Sequence, residues 1–273
     1  NYLDTKRIIV WVHGAEIQPW WRRTFNYSTE AELEKAKNES VIRMNFWKEV
    51  FEAANEANIH FVFVSEYFAG EVMEDYKINL RPEQYSVIHN CIDTKMFNYI
   101  PKTPDQRTKI LWIKPYTSAK YANDLTAKAI YELSKNDNFD KFEFYVFGEG
   151  EFFDNDNAII KRFKNVHLNK KFLTQDEIAE LHKECGVFIA TTRWDSQGVS
   201  RDEAMSSGLV CIANSVAAIP EFIDESCGML VPGEDYKGIA DSLLNLYYNP
   251  DLFIKLSESA AKRVRSQSAK EFT

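Results

Sequence analysis

The chain has 273 residues and no apolar run near the roughly 20 that a membrane-spanning helix needs. It has no CxxC pair either. Cys91, Cys185, Cys211 and Cys227 stand far apart, three of them in or beside apolar runs, which fits buried free thiols of a reducing cytoplasm. Positive charge is in deficit: 33 Lys and Arg face 41 Asp and Glu, for a net charge of −8. That balance argues against a broad nucleic-acid or anionic-membrane surface, so a few local bases must hold any anionic ligand. A signal core is also missing, since Asn1 to Arg7 leads straight into a short strand-like run. Repeats and low-complexity segments are absent. The remaining composition is 45% hydrophobic, in a chain long enough for two domains with substantial cores.

Short apolar runs alternate with helical patterns. Strands are predicted at Ile8–His13, His60–Val64, Tyr85–His89, Lys109–Lys114, Phe142–Phe147, Val166–Leu168, Val187–Thr191, Val210–Ala213 and Met229–Val231. Thr29-Glu30-Ala31-Glu32 is a capping-box pattern opening a helix to about Ala57, and Thr174-Gln175-Asp176-Glu177 opens another through Glu184. Lys120–Lys135, Lys237–Tyr247 and Pro250–Arg265 also read as helices. The alternation implies an α/β fold with mostly parallel sheets covered on both faces. A polar, proline-bearing break from Asp93 to Thr108 sets a domain boundary near Phe97, giving domains 1–97 and 98–273. The first has about three strands, few for a doubly wound domain, so the chain reads as beginning inside an incomplete one.

The densest chemistry lies in Asp195–Pro220. A buried-strand run, Val187 to Thr191, leads into a polar turn with Gly198, and Glu203-Ala204-Met205 reads as the opening of a helix. Free N–H groups and the dipole at a helix start attract an anion. Asp195 and Glu203, on either side of the turn, can hold sugar hydroxyls. A sugar attached to a phosphate is the ligand that wants both.

Motifs in shared order over some 200 residues resemble a known family. Val64-Ser65-Glu66 resembles its "vSe" strand end, and Val87 to Asp93 with Phe97 resembles "vIpNGvD…F". Ile110 to Ile113 with Lys120 resembles "iLfvGR…KG", and Phe144 to Gly150 resembles "vivGdG". Asn165 to Leu168 resembles "nVhflG", Asp195 to Glu203 the paired-glutamate motif, and Cys227 to Gly233 "nGllvppg". The family is the nucleotide-sugar glycosyltransferases of family 4, also called glycosyl transferases group 1. The departures are specific. Asp195 stands for the first glutamate, Ser196-Gln197 for Gly-Phe, Lys114-Pro115 for Gly-Arg, Tyr121 for the glycine after the lysine, and Cys91 for the glycine of "NG".

The resemblance implies the GT-B fold: two Rossmann-like domains, the first on the acceptor side and the second binding the donor. It implies transfer of a sugar from a nucleoside diphosphate to a glycan or lipid-linked acceptor hydroxyl, with retention, no metal and no cofactor besides the nucleotide-sugar substrate. The cysteine pattern points to a cytoplasmic protein, with peripheral association at the inner membrane face as an option. Two rivals stand beside this reading. One is a catalytically silent GT-B domain for glycan binding or assembly, motivated by the departures at 114–115 and 196–197. The other is a nucleotide-sugar epimerase, which needs no acceptor.

Each residue has a plain alternative. By resemblance Asp195 contacts the donor sugar and Glu203 the ribose, a diol that suits a carboxylate's two acceptor oxygens. Alone, the pair is equally a loop acid and a helix-start acid. Gly198, Val199 and Ser200 offer backbone N–H groups to phosphates or sugar, or merely turn the chain. Lys114 and Lys120 form a candidate diphosphate clamp, stabilising charge that develops on the leaving group, or are solvated lysines. By resemblance, His13, at a strand end, positions sugar or phosphate, with Glu16 as a lesser companion. Gly148-Glu149-Gly150 lacks the third glycine of a dinucleotide fingerprint, so it reads as a turn in which Gly148 leaves room for the nucleotide. Asp154-Asn155-Asp156 mimics a DxD metal site but reads as a solvated helix start. Trp20-Trp21-Arg22-Arg23 reads either as an acceptor or headgroup contact, or as core tryptophans beside exposed arginines.

Overall fold

The computed structural model describes residues 6–268; residues 1–5 and 269–273, which include most of the opening Asn1 to Arg7 stretch, lie outside that range. The chain forms two compact units. The first is Asn1–Asn90 with Asp195–Gln197, and the second is Cys91–Trp194 with Gly198–Thr273. This division falls between Asn90 and Cys91, where the sequence reading places a boundary near Phe97.

In the first unit, β1 (Ile8–Val12), α1 (Glu30–Ala53), β2 (Ile59–Phe63), α2 (Glu66–Tyr76) and β3 (Tyr85–Val87) build a parallel sheet of order β1-β2-β3. The predicted capping box opens α1. The Thr29 hydroxyl accepts from the Glu32 N–H at 3.2 Å, and the Glu32 carboxylate accepts from the Thr29 N–H at 3.0 Å. This helix ends at Ala53, short of Ala57, and the chain passes through turns to Asn58, whose carbonyl accepts from the Ile8 N–H at 2.9 Å. Helix α2, absent from the sequence reading, is capped by Ser65, whose hydroxyl accepts from the Phe68 N–H. An aromatic core joins helices to sheet: Phe51 packs on Trp47, Phe61 and Tyr76, and Phe63 on Phe68. The alternate residues Ile9 and Trp11 of β1 are 58% and 44% exposed.

The second unit runs β4 (Lys109–Ile113), α3 (Asn123–Leu133), β5 (Glu143–Phe147), α4 (Phe153–Asp156), β6 (Val166–Asn169), α5 (Gln175–Glu184), β7 (Val187–Ala190), α6 (Val199–Ser206), β8 (Val210–Asn214), α7 (Ile219–Phe222), β9 (Met229–Val231), α8 (Tyr236–Tyr248) and α9 (Pro250–Gln267). Its six strands are all parallel, in order β6-β5-β4-β7-β8-β9. Period-2 alternation feeds two cores. Ile110, Trp112, Val187 and Ile189 face one, with Leu125 of α3 and Leu243 of α8. Leu111, Phe188, Cys211 and Ala213 face the other, with Met205 of α6 and Val264 of α9. Strand order reverses at β4, which lies between β5 and β7. In open parallel sheets, ligands sit in the crevice outside the carboxyl ends at such a switch point.

All nine predicted strands are present, with ends shifted by a residue or two. Two helix starts differ by more than one residue. Helix α6 opens at Val199, not at Glu203, because Gly198 at φ +98° lets the chain turn directly into it. Val199 and Ser200, read as turn residues, are therefore its first two. The helix expected from Lys120 starts at Asn123, because Ala122 at φ +51° separates it from a 3-10 turn at Ala119–Tyr121. All four cysteines are free thiols; Cys185, Cys211 and Cys227 are buried and Cys91 is exposed. Among the described residues, no helix is long and apolar enough to cross a membrane.

Candidate functional site

The second unit gathers most of the expected residues at the carboxyl ends of its central strands. Lys114 follows β4 and is only 7% exposed. Its N–H donates to the Phe147 carbonyl at 3.2 Å. Gly148 follows β5 at φ +153°, and a Cβ there would stand 1.9 Å from the Lys114 carbonyl and 2.8 Å from the Tyr116 ring. The space glycine leaves is thus filled by the β4 loop. Gly150 meets the same loop, with an added Cβ 2.3 Å from the Tyr116 carbonyl. Tyr116 is fully buried, and burial pushes its hydroxyl well above the usual range. Sequence reasoning missed this plug between two loops, although its signal was a glycine at every second residue of 148–150.

Lys120 lies in the 3-10 turn after β4. Its ammonium sits over the rings of Tyr121 at 5.5 Å and Trp194 at 5.4 Å. Its carbonyl accepts from the Arg193 N–H at 2.7 Å and the Thr192 hydroxyl at 3.2 Å. Thr192 is held in turn, its N–H donating to Asn214 Oδ1 at 3.1 Å.

Helix α6 begins with the left-handed Gly198, whose carbonyl accepts from the N–H groups of Arg201 and Asp202. The N–H groups of Val199 and Ser200 precede those first bonds, as at any helix start. Arg201 is 1% exposed, stacks on the Phe222 ring at 5.1 Å, and pairs with Asp202 Oδ1 through Nε at 3.0 Å and Nη2 at 2.6 Å. Among the described residues its Nη1 is buried without a hydrogen-bond partner. A Cβ on Gly198 would stand 2.9 Å from that nitrogen. The half-buried Glu203 carboxyl makes no hydrogen bond or ion pair among the described residues. Burial first, and then the Asp202 charge, push it up to about 7. Arg201 and Asp202 break the apolar pattern expected of a buried helix face, and that was the signal available for them.

His13 and Asp195 belong to the first unit, as does the short segment 195–197. The Ser196 hydroxyl donates to the His13 carbonyl at 2.6 Å. The Gln197 amide donates to the Asn90 carbonyl at 3.0 Å and accepts from the Asn90 N–H at 2.6 Å. The two side chains that depart from Gly-Phe thus hold this segment against two strand-end loops. Asp195 is half-buried, and its Oδ1 accepts from the Gln197 N–H at 3.3 Å. The exposed His13 ring stacks on Trp11. Glu16 is engaged locally, its carboxylate accepting from the N–H groups of His13 and Gly14.

Two further motifs are engaged by charged neighbours. Asp154 is paired with Lys170 on the surface. Arg22 is committed to Asp75 and Glu74 near α2, and the Trp21 indole donates to Asp75 at 3.2 Å.

Comparisons with known proteins bear on the family and the fold. A family model described as Glycosyl transferases group 1 matches residues 107–249, just over half the chain. N-acetyl-alpha-D-glucosaminyl L-malate synthase of Bacillus anthracis is 31% identical over 118 residues, which are 42% of this chain and 31% of that protein. A mutant TarM of S. aureus, solved with Fondaparinux, alpha-GlcNAc-glycerol and UDP, matches with a TM-score of 0.71 at 17% identity, over 97% of this chain and 49% of that one. HepE of Anabaena, solved with UDP-glucose, matches at 0.71 and 13% identity, over 97% of this chain and 69% of that one. The chain therefore spans about a third of the curated relative and about half of TarM. At such identities the structural likeness carries the fold alone. That fold is GT-B, of which the chain covers part.

Proposed function

The chain belongs to the glycosyl transferases group 1 family, and on that premise we propose that its second unit holds the nucleoside-diphosphate end of an activated sugar. The observation that carries this is the passage from β7 into α6. It presents two helix-start N–H groups and a carboxyl, Glu203, that have no partner among the described residues, beside the strand-order reversal. A diphosphate is anionic and a ribose offers two hydroxyls, so the one suits the N–H groups and the other suits Glu203. The relatives solved with UDP and UDP-glucose support the same ligand class.

In this reading Gly198, Val199 and Ser200 receive the phosphates through backbone N–H groups. Lys120 and Lys114 neutralise the leaving diphosphate, with Gly148 seating the Lys114 loop. Following the family resemblance, Asp195 orients the sugar and His13 helps position the sugar or phosphate. The sugar passes to a glycan or lipid-linked hydroxyl, which attacks on the face the diphosphate leaves, assisted by the leaving phosphate and without a metal ion. Holding both reactants in place supplies much of the rate. A lipid-linked acceptor would bring the protein to the inner membrane face.

The experiment is a melting-temperature panel with UDP, GDP, ADP and TDP and their sugars, because a ligand of the folded state raises apparent stability. At least one diphosphate is expected to raise the midpoint, and Glu203→Ala to abolish most of that rise. A folded chain that no member of the panel shifts would sink the proposal. Binding without sugar transfer or donor hydrolysis would instead point to a silent domain.

A further inference from the structure

Arg193 is a residue the reading above does not use, and its surroundings are unusually complete. It sits where β7 ends, and its guanidinium makes five hydrogen bonds, one for each N–H it owns. Nε and Nη2 donate to the two Glu234 oxygens at 2.7 and 2.9 Å, Nη1 and Nη2 to the two Asp124 oxygens at 2.9 and 3.1 Å, and Nη1 to the Ala119 carbonyl at 2.7 Å. Such a guanidinium has no N–H left for a ligand. Its charge is balanced by two carboxylates, so it does not oppose a second cation nearby. Asp124 lies below the usual carboxylate range: burial works against its charge, but the hydrogen bonds from Arg193 and Lys128 outweigh that.

What this clamp holds is the turn that carries Lys120. The Ala119 carbonyl accepts from the Arg193 side chain, and the Lys120 carbonyl from the Arg193 backbone. On either side, Thr192 donates to the same Lys120 carbonyl and the Trp194 ring lies under the Lys120 ammonium. Three consecutive residues after β7 thus fix the backbone and head group of a lysine that follows β4. These two strands are neighbours at the reversal of strand order, where no connecting loop joins their ends.

We infer that Arg193 is a positioning residue, setting Lys120 for the diphosphate of the donor without touching that ligand itself. The inference rests on the proposed donor site. Lysine cannot replace the clamp, since its single ammonium lacks the planar fork that meets two carboxylates and a carbonyl at once.

The test is a double-mutant cycle on the whole chain, reading affinity for UDP and for inorganic pyrophosphate by calorimetry, with melting temperature alongside. Lys120→Met is expected to weaken both ligands about 10-fold or more, a loss typical of one charge-assisted contact. Arg193→Lys is expected to weaken them by a similar factor in the wild-type background, and by less than about 2-fold once Lys120→Met is present. A merely structural role would lower the melting temperature without that non-additivity. If Arg193→Lys binds like the wild type, or its loss adds fully to that of Lys120→Met, the inference is overturned while the donor site stands. If Lys120→Met binds like the wild type, the role of Lys120 falls and the inference with it. Should Arg193→Lys not fold, Asp124→Asn, which weakens only one arm of the clamp, carries the same comparison.

Discussion

Arg193 and Arg201 lie eight positions apart in one strand-to-helix passage, yet their surroundings are opposite. Arg193 is partly exposed, and all its donors are met by groups from three other segments. Arg201 is wholly buried, forms its one ion pair among the described residues with its neighbour Asp202, and leaves one nitrogen there without a hydrogen-bond partner. The first arrangement gives a fixed scaffold at modest desolvation cost. The second places an ion pair under the start of α6, where desolvation is expensive and its gain depends on a single partner. Charge is thus used beside this site in two ways, as a tie between loops and as a buried pair.

The comparison breaks most sharply at Asp202. Asp202→Ala leaves the Arg201 charge buried and uncompensated, and should cost about 3–5 kcal/mol of unfolding free energy in urea titrations. Replacing both residues, by Met at 201 and Leu at 202, should recover most of that loss. A single variant as stable as the wild type would contradict the buried pair.

A smaller effect is expected at Glu203, and it depends on pH. Its carboxyl is raised in the folded state from 4.5 to about 7, so the folded chain holds this proton more tightly than the unfolded one. That contribution is whole below about 4.5 and disappears as pH rises through about 7. Glu203→Gln removes the titration, so its melting temperature relative to wild type should rise between pH 5 and pH 8. A difference independent of pH would argue against the raised carboxyl. UDP should also bind the wild type more tightly at pH 8 than at pH 5.5, because the ribose hydroxyls donate to the ionised form.

The smallest effect belongs to the exposed arm of the Arg193 clamp. Glu234→Ala removes two hydrogen bonds to a carboxylate that is 61% exposed. Solvent screens such a pair, and the loss should stay within about 1 kcal/mol. A loss as large as that of Asp202→Ala would erase the distinction between the two arginines.

Much of the second unit was legible because its signals are local. A buried parallel strand is a short apolar run, and Thr174 with Glu177 writes a capping box in four residues. The start of α6 was misplaced because Gly198 reads as the head of a longer turn, and only its left-handed backbone angle shows that Val199 and Ser200 already belong to the helix. Ser196 and Gln197 read as losses from a family motif. Their partners, His13 and Asn90, lie 183 and 107 positions away, so no window of sequence could disclose them.

Read alone, the residues established strand count, alternation and the motif order that places the chain in its family, since each of these is encoded within a few neighbouring side chains. Folding settled which charges are spent and which remain open. Asp124 and Glu234 reach Arg193 across 69 and 41 positions. The Glu203 carboxyl owes its unusual proton affinity to burial beneath surrounding chain. Contacts closed over such distances, and the dielectric they create, exist only once the sheet has assembled.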